Sequence, residues 1–209
     1  GRGTPRRAGA GNAQGGASGG LPPVMDRRAM EKTMADLHRL LAQHEFADLE
    51  EANRFLAGLT AEGGGGIPAG QATTPLEEAQ DLMYEAWEAT GSRRAQLARK
   101  ALDISPDCAD AYVLLAEEQA RTVEEARDSY AQGVAAGERA LGADMFEEDA
   151  GHFWGILETR PYMRAREGLA RCLWELGERQ EAISHYKEML RLNPNDNQGV
   201  RYVLLDCLL

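Results

Sequence analysis

Apolar residues fall at steps of three and four along most of this chain, the spacing that lines one face of a helix. Met30, Met34, Leu37, Leu40 and Leu41 form one such stripe, and Leu49, Ala52, Phe55, Leu56 and Leu59 form a second. Together they predict a helical hairpin over 26–59. Asp48 followed by Glu51 has the spacing of a capping box at the second helix. Residues 60–75 (TAEGGGGIPAGQATTP) read as a Gly-rich linker, so the hairpin is expected to be tethered to the C-terminal helices rather than built into them. From 76 to 209 the helical period persists, Ala, Leu, Glu and Arg are abundant, and no sustained two-residue alternation marks a strand. Residues 1–25 carry many Gly, the cations Arg2, Arg6 and Arg7, and no acid; too little apolar surface is present to offset ordering, and a disordered tail is expected.

The helical stretch repeats itself. Ala101-Leu102-Asp103-Ile104-Ser105-Pro106 matches Met189-Leu190-Arg191-Leu192-Asn193-Pro194. Each ends an amphipathic helix on a Pro that cannot continue it. Asp107 and Asp110 after the first, and Asn195, Asp196 and Asn197 after the second, can cap the next helix. Upstream of Pro194, Leu169-Ala170, Leu173, Gly177, Ala182 and Tyr186 stand at the offsets of a tetratricopeptide repeat. Small Ala170 and Ala182 let two helices approach, while Leu169, Leu173 and Tyr186 fill the space between hairpins. Two weaker units precede it, over 75–106 and 109–142. Pro106 and Pro194 are farther apart than two 34-residue repeats allow, which places an insertion near 143–160, with Phe146, Phe153 and Trp154. Phe153 and Trp154 are expected to plug the gap between hairpins, the alternative being an exposed peptide-binding anchor. The fold class is therefore all-α: tetratricopeptide-like hairpins stacked in a right-handed superhelix.

The run GHFWGILETRPYMRAREGLARCLWELGERQEAISHYKEMLRLNPNDNQGVRYVLL (151–205) resembles the repeat region of the suppressor of tumorigenicity seven family and its bacterial tetratricopeptide relatives. Its ETRPYMRAR and LNPNDNQG-RY segments are the most specific part of that likeness. The resemblance implies a helical-repeat interaction scaffold and supplies no catalytic residues. It also implies membrane-spanning segments in eukaryotic members; this chain has no run of roughly 20 apolar residues, so no membrane partner is expected.

Charge narrows the function classes. The net formal charge is −11, from 34 acidic against 23 basic residues, which disfavours nucleic acid and anionic membranes. Cys108, Cys172 and Cys207 are too few and too scattered for a disulfide framework, so a reducing, cytoplasmic setting is expected. His38 and His44 have no Cys or second His at metal spacing and read as surface residues. Glu148 and His152 lie one turn apart without a third ligand, and His185 reads as partly exposed. Cys172 sits on a small-residue seam and reads as a buried thiol. The glycines at 63–66 lack the Lys-Ser or Lys-Thr of a phosphate loop. No catalytic residue, metal or cofactor is expected.

What remains is the groove of the repeat array, where the first helix of each pair receives a partner segment. Arg164, Arg171 and Arg201 count as groove-facing or groove-edge, and Arg suits bidentate pairing with carboxylates. The alternative for each is an internal pair with Glu167, Glu175 or Asp206. The expected partner is a protein or peptide with an acidic segment. Val200, Val203, Leu204, Cys207 and Leu208 form a last helix with no second helix to cover it. That edge leaves two alternatives: self-association, or an accessory domain of a longer polypeptide, enzymatic or not, that continues past residue 209.

Overall fold

The computed structural model describes residues 27–61 and 67–209. The expected tail at 1–25 and residues 62–66 of the expected linker lie outside them. Every regular element among the described residues is helical: α1 (Arg27–Ala42), α2 (Leu49–Ala61), α3 (Pro75–Glu88), α4 (Ser92–Ile104), α5 (Ala109–Gln119), α6 (Val123–Glu148), α7 (Arg160–Glu175), α8 (Arg179–Leu192) and α9 (Val200–Leu208). Two short 3-10 turns, Phe153–Gly155 and Leu157–Thr159, separate α6 from α7.

Helices α3/α4, α5/α6 and α7/α8 are hairpins stacked in chain order, and the first helices of successive pairs also touch. Local chemistry sets their ends. Thr74 accepts from the Glu77 backbone N–H, and the Glu77 carboxylate accepts from that of Thr74, forming a capping box before Pro75. Thr122 caps α6 by accepting from the Glu125 backbone N–H, and the Glu125 carboxylate accepts from that of Arg121. Gly177, at φ 84°, makes the left-handed turn between α7 and α8 that a side chain would resist. The capping expected after the two prolines is met once. Asp196 accepts from the backbone N–H of Val200 and Arg201 at 2.6 and 2.9 Å. Asp107 and Asp110 leave the start of α5 uncapped by side chains, because Arg139 and Arg164 claim their carboxylates.

The core lies along the seams. Ala170 and Ala182 are fully buried, as their spacing requires. The tightest approaches come from glycines: a side chain at Gly168 would enter the Tyr130 ring, and one at Gly137 would meet Tyr162 at 2.8 Å. So α6 and α7 are joined nearly backbone to side chain. Residues 143–160 lie at the same joint. Helix α6 runs on, breaks its geometry at Gly142 (φ 74°), and delivers Phe146 beside Phe153 and Tyr162, with ring centroids 5.0–6.2 Å apart. Phe153 is wholly buried and plugs the gap, while Trp154 lies half-buried under Arg160.

The N-terminal region departs from expectation. Helix α1 is not merely tethered: it packs against α3 and the Leu157–Thr159 turn. The face it buries is not its apolar stripe. Glu31, Ala35, Asp36 and Arg39 are buried, while Met30 and Met34 are 43% and 41% exposed. At the start of α2 one half of the expected capping box forms: Asp48 accepts from the Glu51 backbone N–H at 2.8 Å, while the Glu51 carboxylate accepts from the Ala47 N–H rather than from that of Asp48. His44, Phe46 and Phe55 pack as one ring cluster where α1 hands over to α2.

Candidate functional site

Helices α3, α5 and α7 present one continuous face, and α1 lies on it. On α1, Arg28, Glu31, Ala35 and Arg39 succeed one another at steps of three and four, which puts them on a single side, opposite Met30, Met34, Leu37 and Leu41. Each charge of that side meets its opposite. Glu31 takes both its oxygens to one Arg164 nitrogen, at 2.8 and 3.0 Å, with Arg160 at 3.5 Å. Arg39 donates to both Asp81 oxygens at 2.8 and 2.9 Å and to the carbonyls of Glu77 and Gly70. Arg28 lies 4.8 Å over the Trp87 ring and 3.7 Å from Glu117. Gly70 seals the contact: its N–H donates to Asp36 at 3.0 Å, and a side chain there would meet Arg39 Cβ at 2.6 Å and the Asp36 carbonyl at 2.7 Å.

Arg164 is the hub. It donates from two nitrogens to Asp110 at 2.8 and 2.7 Å while holding Glu31 with the third, and it lies 5.3 Å from the Trp87 ring. Asp110 is wholly buried and takes a further bond from Gln80 at 2.8 Å. Burial opposes the Arg164 charge, but Asp110 and Glu31 more than offset it, and its pKa is raised. The Tyr84 hydroxyl, buried nearby with those carboxylates, is held protonated well above its ordinary range. Burial, reinforced by Asp110, pushes the Cys108 thiol up to about 12. Such a thiol is no nucleophile at neutral pH. Between α1 and the array lies a cavity of about 440 Å³, walled by Ala35, Leu76, Tyr84, Ala109 and Tyr162.

The three arginines expected to form a stripe have three different fates. Arg164 faces the groove, but its partners are Asp110 and Glu31 rather than Glu167, Glu175 or Asp206. Arg201 is turned onto its own loop, donating to the Pro194 carbonyl at 2.6 Å. Arg171 is exposed, and one nitrogen donates to the Tyr130 hydroxyl at 3.2 Å. It lines a second hollow of about 420 Å³ between α7 and α9, together with Glu167, Trp174, Gln198, Val203 and Asp206. Glu167 is raised in pKa by burial there, although Gln198 donates to it at 2.7 Å. Sequence reasoning missed Glu31 and Asp110. The signal for Asp110 was an acid on the inner face of a helix start; for Glu31, only its three-residue spacing from Arg28 was available.

His38 and His44 are exposed, His38 lying 3.8 Å from Glu158. Cys172 is buried, which raises its pKa. Among the described residues no group of three His, Cys, Asp or Glu is placed to hold a metal ion, and no helix is long and apolar enough to cross a membrane.

Comparison with known proteins adds the family. Residues 71–200, from the segment before α3 to the start of α9, match the model of the ST7 protein family. The chain is 29% identical over 126 residues to suppressor of tumorigenicity 7 protein-like of Gallus gallus, covering 58% of this chain and 23% of that protein. It is 33% identical over 119 residues to the protein ST7 homolog of Caenorhabditis elegans, covering 53% and 22%. To the Homo sapiens suppressor of tumorigenicity 7 protein-like it is 30% identical over 123 residues, covering 57% and 21%. The chain thus spans less than a quarter of the length of these relatives. No solved structure matches. The array that carries the groove, and with it Asp110, Arg160, Arg164 and Arg171, lies within the matched residues, and this chain belongs to the ST7 family.

Proposed function

We propose that the chain is a non-enzymatic protein-binding module of tetratricopeptide type, taking an acid-bearing partner segment in its groove. One observation carries this reading: the surface of α3, α5 and α7 already grips a helix through a carboxylate, with Glu31 between Arg160 and Arg164. Farther along the same face, Arg171 stands exposed in the hollow between α7 and α9, beside Trp174 and Val203. A guanidinium flanked by an aromatic and an apolar side chain suits a short segment with one carboxylate and one apolar anchor. Against catalysis stand the raised pKa values of Cys108 and Cys172. The three unpaired thiols favour a reducing, cytoplasmic setting.

The test is affinity capture with the full chain, followed by identification of the proteins retained. Arg171→Glu is expected to lose the captured partner, and Arg201→Glu to keep it, because Arg201 is already tied to Pro194. Equal capture by the wild type and Arg171→Glu refutes the groove reading. A second reading, homotypic assembly, rests on α9, where Tyr202, Leu205 and Leu208 are 77%, 56% and 59% exposed. It predicts capture of the chain itself and concentration-dependent sedimentation.

A further inference from the structure

We propose that α1 is a displaceable occupant of the groove of α3, α5 and α7, holding the place of a partner-protein helix. That helix carries a carboxylate with one cation a turn before it and another two turns after. This deepens the groove-binding reading and rests on it.

The contact has the composition of an interface rather than of a core. Among the described side chains of α1, those buried besides Ala35 are charged, namely Glu31, Asp36 and Arg39, while Met30 and Met34 of its apolar stripe are exposed and Leu37, Leu40 and Leu41 are half-buried. A helix that belonged to the core would bury Met30 and Met34 instead. The array also has its own partners without α1. Arg164 keeps both bonds to Asp110, Asp110 keeps Gln80, and Arg160 keeps the Trp154 carbonyl at 3.0 Å. What α1 supplies is the second acid for the two arginines and the cations for Asp81, Glu77 and Glu117. Removing it uncovers a surface that reads acidic, basic, acidic from one end to the other. Finally, α1 lies outside the residues that match the family, whereas every array group it touches except the Gly70 backbone lies within them.

That uncovered pattern defines the occupant. Glu31 and Arg39 are eight residues apart, about 12 Å along a helix, and Arg28 precedes Glu31 by a single turn. A trans helix with a basic–acidic–basic face at those spacings makes the same contacts. Because α1 and its groove share one chain, α1 competes at high local concentration, and a free helix binds weakly until α1 is loosened.

Glu31→Arg loosens it and leaves the groove unaltered, since the new guanidinium stands against Arg160 and Arg164 where the carboxylate stood. The probe is a fluorescent synthetic peptide of residues 27–42, read by anisotropy against the full-length chain, with amide hydrogen exchange reporting whether α1 is released. The peptide is expected to bind the Glu31→Arg chain about tenfold or more tighter than wild type, since cis occupancy divides the apparent affinity. A 16-residue alanine-based peptide keeping only Arg28, Glu31, Asp36 and Arg39 at their spacings is expected to bind too, and one with Glu31→Arg is not. High salt is expected to weaken the complex. Equal affinity for the two chains, or no binding to a chain whose α1 amides have lost protection, overturns the proposal. So does an α1 that stays protected in the Glu31→Arg chain, which makes it integral to the fold. If the wild-type chain dimerises and the peptide dissolves the dimer, the occupant is a second copy's α1 and the partner assignment is wrong. Arg171→Glu is expected to leave peptide binding unchanged, so that failure at the α7–α9 hollow and failure here are told apart.

Discussion

The α6–α7–α8 seam and the α1 contact bring helices together by opposite means. At the seam, glycine and alanine remove side-chain bulk, aromatic rings fill the gap, and the one ionisable imidazole on α8, His185, is kept neutral. Burial, with Arg166 adding to it, lowers its pKa to about 4. At α1, charged side chains are buried and each is matched: Glu31 is 2% and Arg39 8% exposed. The seam gains from shape and from apolar area removed from water, neither of which depends on ionic strength. The α1 contact exchanges water for ion pairs, where the desolvation cost consumes much of the attraction. The first kind of joint makes a fold; the second kind makes a contact that can open.

The widest test of that difference is Phe153→Ala. Phe153 is wholly buried between Phe146 and Tyr162, and truncating a buried Phe costs about 3–5 kcal/mol. Denaturant unfolding of the full chain is expected to show the loss with no added salt dependence; a cost confined to α1 amides contradicts the division between the two joints. Gly168→Ala is next. Its new methyl group enters the Tyr130 ring, and overpacking of this kind costs about 1–3 kcal/mol. The same measurement should register it, and a neutral or stabilising result means that α6 and α7 can slide apart.

The smallest effect is that of pH on His185. Its folded pKa lies below its unfolded value of 6.5, so its contribution to stability is complete above pH 6.5 and is lost as pH falls toward about 4. Replacing it with Leu is expected to flatten part of the drop in the urea midpoint between pH 7 and pH 4.5. The carboxylates common to both chains leave the remainder. An unchanged slope means His185 is hydrated in the folded chain.

Legibility divided along the same line. Ala170, Ala182, Leu169, Leu173 and Tyr186 announced their hairpin by spacing alone, because packing partners within a repeat are close in sequence and their types are set by size. Phe153 could be assigned to the inter-hairpin gap for the same reason. Gly168 and Gly137 escaped notice, since a glycine within a helix looks like a weak point until the ring it makes room for is seen. The partners of Arg164 could not be read from spacing: Glu31 is 133 residues away, and no periodicity links the two. The apolar stripe of α1 misled for a related reason. Period 3.6 reveals that a helix has two faces but not which of them a neighbour matches by charge.

What the sequence determined by itself is the helical class, the register of the best hairpin, the plug between hairpins and the net negative charge. These depend on local spacing, residue volume and net charge, all of which are properties of the string. What only the tertiary structure decided is which charges meet. It sent Arg164 to Asp110 and Glu31, Arg201 to its own turn and Arg171 to the surface. An ion pair forms wherever the stacked backbones bring two side chains within a few ångströms, and that proximity is fixed by the path of the whole chain.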